Sequence, residues 1–247
     1  MGWRVVFYFF FCFFFFSGCG AHRDLHRVDR RQRQMCIRDS NNDDPAHDLP
    51  LGQSIPGPAA ERLGDVARLQ GLWIGFGLFE RDGDCLYDYA VLIAPDGSVA
   101  LRHRRNQPQW HGIAADPAVY RQGTSIEVVR TPIGNVGFLI CGDLFDDALV
   151  PRFRALRPDL LLFPFARCFS DGSADQARWD TEEMPEYVRQ VVSVGVPALM
   201  TNYIGAPDIE ECLSFGGAFA VSADGEVVAS LPLGVEGALL VGLDRLL

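Results

Sequence analysis

The sequence predicts a mixed α/β fold of layered sheets. Three observations carry that expectation. Short apolar runs bounded by Gly, Pro, Asn and Asp recur between residues 71 and 243. Stretches with helical spacing of apolar residues fall between some of those runs. Compact turn sequences, RDGD at 81–84 and PDGS at 95–98, join neighbouring runs as hairpins. With 247 residues and 48% hydrophobic content, the chain is long enough to bury a sizeable core.

Taken in order, residues 41–58 are rich in Asp, Pro and Gly and read as loop. Residues 59–70 (AAERLGDVARLQ) place Leu63, Val66 and Leu69 at helical spacing. Residues 71–80 (GLWIGFGLFE) and 86–94 (LYDYAVLIA) read as the two strands of a hairpin, and VALRHRR follows the second turn. A long loop is predicted over 106–123, then strands over 126–130 and 136–140 about a turn at Gly134-Asn135. Residues 146–156 read as helix, 159–165 (DLLLFPF) as a buried strand, and 174–194 as a long helix with Tyr187, Val188, Val191 and Val192 on its apolar side. Strands over 197–204, 218–222, 226–231 and 238–243 complete the set, and there is no internal repeat.

Composition narrows the function. The formal charge is −10, which argues against a nucleic-acid partner. All 22 basic residues are arginine; the chain has no lysine. Seven cysteines without regular spacing or a CxxC pair indicate neither a disulfide framework nor a zinc site.

The first forty residues stand apart. Arg4, the apolar run 5–16 and Ser17-Gly18-Cys19 have the outline of a lipoprotein leader. Against that reading, eight of the 18 phenylalanines crowd into this segment. Residues 22–40 (HRDLHRVDRRQRQMCIRDS) also follow no helical or strand period, and 30–40 (RRQRQMCIRDS) resemble the in-frame translation of a sequencing-library adapter. Residues 1–40 are therefore expected to be a non-native segment, and 41–247 the genuine domain. Residues 1–40 carry +4, so the other 207 residues carry −14. The domain retains four cysteines, Cys85, Cys141, Cys168 and Cys212, and has no spanning segment, which reads as soluble and cytoplasmic.

The chemistry centres on NVGFLICGDLFDD, residues 135–147. A cysteine directly after a buried strand emerges at a crevice. A following glycine permits a sharp turn and leaves its amide free to face an oxyanion. Such a cysteine needs a nearby cation or base, because the thiolate is the nucleophile and a free thiol has a pKa of about 8.5. A buried core cysteine fits the local pattern equally well.

GFLICGDLFDD resembles the cysteine motif of the nitrilase, or carbon–nitrogen hydrolase, superfamily. GLFE (77–80), LYDYAVLIAPDG (86–97), TNYIG (201–205) and SFGGAFAVSADGEVVAS (214–230) resemble further motifs of that family in its order and spacing. The resemblance covers nearly all of residues 47–247. It implies a four-layer α-β-β-α sandwich that pairs sheets across a dimer, so a homodimer or higher homo-oligomer is expected. It also implies a Glu–Lys–Cys site with a second glutamate.

Carried over by position, the resemblance makes Cys141 the nucleophile and Gly142 the oxyanion amide. The lysine position falls on Arg105, and the second glutamate on Asp116. Glu80 matches a structural glutamate of the hairpin strand. Asp88 stands where the family has Asn, and Asp147 where it has Glu. The first glutamate has no counterpart, because its strand would fall within residues 1–40. The 247-residue chain is therefore expected to lack the family's N-terminal strands, first helix and general base, and to be inactive. Arginine at 105 keeps the positive charge but does not transfer protons. Arg102, Arg104 and Arg105 also read as a solvated strand edge.

Phe145, Arg167 and Trp110 are candidate substrate-binding residues. His103 and His111 read as structural, and Glu182 and Glu183 as favourable charges at a helix N-terminus. The resemblance implies hydrolysis of a small amide, carbamoyl compound or nitrile through a cysteine thioester, with no metal or organic cofactor and no membrane partner. The alternatives are a non-catalytic relative that binds a small molecule or a partner, and an acyltransferase using the same thioester.

Overall fold

The computed structural model describes residues 4–8, 13–17, 43–108, 110–205 and 214–246, the first two segments by their backbone alone. Two sheets pack face to face with helices outside, giving four layers, α-β-β-α, within one chain. The sheet-on-sheet core expected of the sandwich lies within the one chain.

In the first sheet, β1 (Arg4–Tyr8), β2 (Phe13–Ser17), β3 (Trp73–Asp82), β4 (Cys85–Ile93), β5 (Val99–Arg104) and β13 (Ala238–Gly242) run in the order β13-β1-β2-β3-β4-β5. Beyond the reach of β5, β6 (Tyr120–Arg121) adds parallel to β4. The backbone of 4–8 and 13–17 thus forms a hairpin inside this sheet. The stretch 22–40 lies outside the described residues.

The second sheet has the order β12-β11-β10-β9-β8-β7. Its strands are β7 (Val128–Thr131), β8 (Gly134–Phe138), β9 (Leu160–Phe165), β10 (Ala198–Asn202), β11 (Ala218–Val221) and β12 (Val227–Leu231). The three central strands β8, β9 and β10 are parallel, and all six residues of β9 are buried. A strand covered on both faces reads as a continuous apolar run, as LLLFPF does.

Alternation along β4 separates the layers. Ala90 and Leu92 face the second sheet, where they meet Val136, Phe138, Leu162 and Leu199. Tyr89, Val91 and Ile93 face outward and pack on α2 (Pro58–Gln70) through Ala60, Leu63 and Ala67. Proline opens α2 and Gly71 closes it at φ 65°, with Leu72 N–H returning to the Ala67 carbonyl. On the opposite outer face, α3 (Leu149–Ala155) and α5 (Met184–Val194) cover the second sheet through Val150, Phe153, Tyr187 and Val191.

Four local expectations shift. A short helix, α1 (Pro45–Asp48), opens within the predicted loop because Asp44 caps Ala46 N–H and a proline follows the cap. The hairpin turn of the second sheet falls on Pro132-Ile133, since Thr131 Oγ1 accepts Ile133 N–H and donates to the Gly134 carbonyl. The loop 106–123 is ordered at its end by β6. The long helix is broken by a π turn, Trp179–Glu183, between α4 (Gln176–Arg178) and α5. Among the described residues no helix is long and apolar enough to cross a membrane.

Candidate active site

The site lies at the carboxyl ends of β8, β9 and β10, where parallel strands leave a crevice. Cys141 is separated from β8 by Leu139 and Ile140 and starts a 3-10 turn, Cys141–Phe145. Its φ is 45°, a left-handed conformation that few non-glycine residues adopt. Strain of this kind persists only where surroundings enforce it, and it marks functional turns. Cys141 is half-buried, packs against both the inter-sheet core and the outer core, and directs Sγ toward the Ala166 carbonyl at 4.0 Å.

Gly142 is the second residue of the turn, so its N–H has no partner within it. It lines a pocket of about 540 Å³ with Arg105, Gln107, Phe145, Asp146 and Asp147. A methyl group on Gly142 would lie 2.5 Å from Arg105 Nη2 and 2.7 Å from Gln107 Oε1. Those two side-chain ends lie close against the peptide beside the cysteine, and a larger residue at 142 would displace them.

Arg105 lies just past β5 and is 4% exposed. Its N–H continues the ladder to the Asp88 carbonyl, its Nη1 lies 3.4 Å from Asp88 Oδ2, and its Nη2 donates to Gln107 Oε1 at 2.7 Å. The three arginines thus separate by strand period. Arg102 is exposed. Arg104 turns outward to chelate Glu80 at 2.6 and 2.9 Å, reaching Asp82 and lying over the Tyr87 ring. Arg105 is buried at the site. The Glu80 carboxylate holds the Arg104 guanidinium above its ordinary range, which gives Glu80 a structural role.

Asp143 is fully buried and ties these parts together. It accepts from His103 Nε2 at 2.8 Å, from Ile140 N–H, and from the N–H groups of Asn106 and Gln107 at 2.9 and 2.7 Å. Burial opposes its charge. The His103 hydrogen bond and the backbone donors outweigh that and hold the carboxyl below the usual carboxylate range.

Phe145 stands over the pocket, edge-on to Tyr187 at 5.0 Å. Arg167 follows β9. Asn202 accepts its N–H, and its guanidinium chelates Glu183 from the π turn. The Glu183 hydrogen bond outweighs the opposing effect of burial and raises the affinity of Arg167 for its proton.

Two sequence candidates fall elsewhere. Asp116 is exposed, and Oδ1 accepts Ala118 N–H while its carbonyl accepts from Val119 and Tyr120; it closes its own turn and does not join the site. Trp110 packs among Phe79, His111 and Tyr120, donates Nε1–H to the Arg121 carbonyl and does not line the pocket beside Gly142. The acid position counted back from Gly123 failed because that loop folds onto the far end of β4.

Sequence reasoning missed Asp143 and Gln107, set His103 aside, and read Glu183 only as a favourable charge at a helix N-terminus. The usable signal was strand period: His103 and Arg105 share one face, opposite Arg102 and Arg104. Cys168 is disulfide-bonded, which the irregular cysteine spacing did not announce. Among the described residues, no group of three or more His, Cys, Asp or Glu is placed to hold a metal ion.

The sequence and the fold that carry this arrangement are similar to known proteins. The carbon-nitrogen hydrolase family matches residues 10–246, and the chain belongs to it. It is 24% identical to Nitrilase 2 of Arabidopsis thaliana over 77% of this chain and 58% of that protein. It is 31% identical to an omega-amidase of Xenopus tropicalis over 49% of this chain and 46% of that protein. The chain spans less than two thirds of the length of the curated relatives it matches.

Solved structures share the fold. The carbon-nitrogen hydrolase from Helicobacter pylori G27 superposes with a TM-score of 0.64 at 21% identity, covering 76% of this chain and 67% of that one. An amidase of the nitrilase superfamily from Nesterenkonia sp. AN1, in a mutant form showing covalent addition of the acetamide moiety of fluoroacetamide at its active-site cysteine, gives 0.61 at 21% identity, covering 76% and 68%.

Proposed function

We propose that the protein hydrolyses a non-peptide C–N bond in a small amide, carbamoyl compound or nitrile, with Cys141 as nucleophile. The observation that carries this is the left-handed Cys141 at φ 45°, set beside Gly142 and the buried Arg105. For an amide, the thiolate adds to the carbonyl carbon, and the oxyanion forms against Gly142 N–H and the Arg105 guanidinium. The C–N bond breaks, the nitrogen takes a proton and leaves as ammonia or amine, and a thioester remains. Water then adds, the C–S bond breaks, and the acid departs.

Arg167 and Arg105 supply the positive field that favours the thiolate. Neither transfers protons, since arginine stays charged. Proton transfer falls to a carboxylate base, and the family motifs found in residues 41–247 supply none at its position.

Fluoroacetamide tests the reading. Intact-mass analysis should show one acetamide added, with fluoride released, at Cys141 and abolished by Cys141→Ser. Labelling no faster than a free thiol at neutral pH would sink the nucleophile.

A further inference from the structure

We propose that the buried His103–Asp143 pair is a positioning device that sets the register of Arg105 against Cys141. This rests on the reading of Cys141 as nucleophile. His103 is 3% exposed and Asp143 0%. They join elements of different sheets: His103 belongs to β5 and Asp143 to the turn after β8.

The two carboxylate oxygens divide the task. Oδ1 accepts N–H of Asn106 and Gln107, the two residues after Arg105. Oδ2 accepts Nε2–H of His103, two residues before Arg105, and N–H of Ile140, the residue before Cys141. One anion thereby brackets the cation on both sides and grips the nucleophile turn from within. Its charge is spent on four donors, so it does not oppose the thiolate two residues away.

Nε2 must carry the proton, because Asp143 only accepts. Nδ1 of His103 has no hydrogen-bond partner among the described residues. An unsatisfied buried nitrogen is a cost that a packing role alone would not require. The contact made by Nε2 is what an apolar residue at 103 would lose.

The test uses iodoacetamide and the two cysteines of the described residues that form no disulfide, Cys141 and Cys85. Cys85 sits at the β3–β4 hairpin and serves as internal control. Site-resolved peptide mass spectrometry gives both alkylation rates in the wild type, His103→Ala, His103→Gln and Asp143→Asn. The Cys141 rate should fall about tenfold or more in His103→Ala and Asp143→Asn, the scale of a misplaced catalytic group. The Cys85 rate should hold, and His103→Gln should recover most of the loss because its side-chain N–H can replace Nε2–H.

A fast wild-type Cys141 left unchanged by His103→Ala overturns the positioning role alone. A joint rise at both cysteines also overturns it, since the pair would then only hold the fold. A wild-type Cys141 no faster than Cys85 overturns the nucleophile reading itself.

Discussion

Arg105 and Asp88 are both 4% exposed, and Nη1 of one lies 3.4 Å from Oδ2 of the other. The pair explains two departures at once. Where the resembling family places lysine and asparagine, this chain places arginine and aspartate, so an added negative charge accompanies the more extended cation. Removing one partner of a buried ion pair leaves an uncompensated charge and costs about 3–5 kcal/mol.

Asp88→Asn and Arg105→Met, each of which removes one charge of the pair, are therefore expected to destabilise the fold singly and to do so less than additively together. Urea unfolding of the four species should give a coupling energy of about 1–3 kcal/mol. Strict additivity would show that the contact carries no coupling.

Acid should loosen the site through Asp143. Its carboxyl is held below the ordinary value despite burial, so its stabilising contribution is complete above about pH 4 and disappears as pH falls through the lower, folded-state value. Urea midpoints measured from pH 6 to pH 2.5 should fall less steeply in Asp143→Asn than in the wild type. Parallel curves would remove Asp143 from the acid transition.

Asp116→Ala should leave Cys141 alkylation unchanged, because the side chain is exposed and caps only Ala118 N–H. Stability should drop by about 1 kcal/mol, as for loss of a capping hydrogen bond. A collapse of Cys141 reactivity would return Asp116 to the catalytic set.

Phe138 is fully buried between the sheets, on the strand that leads to Cys141. Phe138→Ala is expected to cost about 3–5 kcal/mol by creating a cavity. Differential scanning calorimetry of the two proteins would show the loss; a cost under about 1 kcal/mol would mean that the sheets close over the gap.

The layers were legible because burial writes itself in period: LLLFPF on β9 and the alternation of β4 leave few other places for those side chains. Cys141 and Gly142 were legible because strand, cysteine and glycine are adjacent in sequence. The partners were not. Asp143 recruits His103 from 40 residues away, and Glu183 reaches Arg167 across 16, through contacts that no local pattern encodes. Asp116 misled because counting along a loop assumes a path, whereas the 106–123 segment turns back to pair with Leu86 and Tyr87.

Arg105 hangs from the first sheet and Cys141 from the second, with the Phe138 layer between. The reactive centre is therefore a gauge of how the two sheets register. A slip too small to expose the core would still part cation from thiol. Chemical competence should fade during gentle denaturation before secondary structure does, and a tighter inter-sheet core would widen the range of conditions over which the cysteine stays primed.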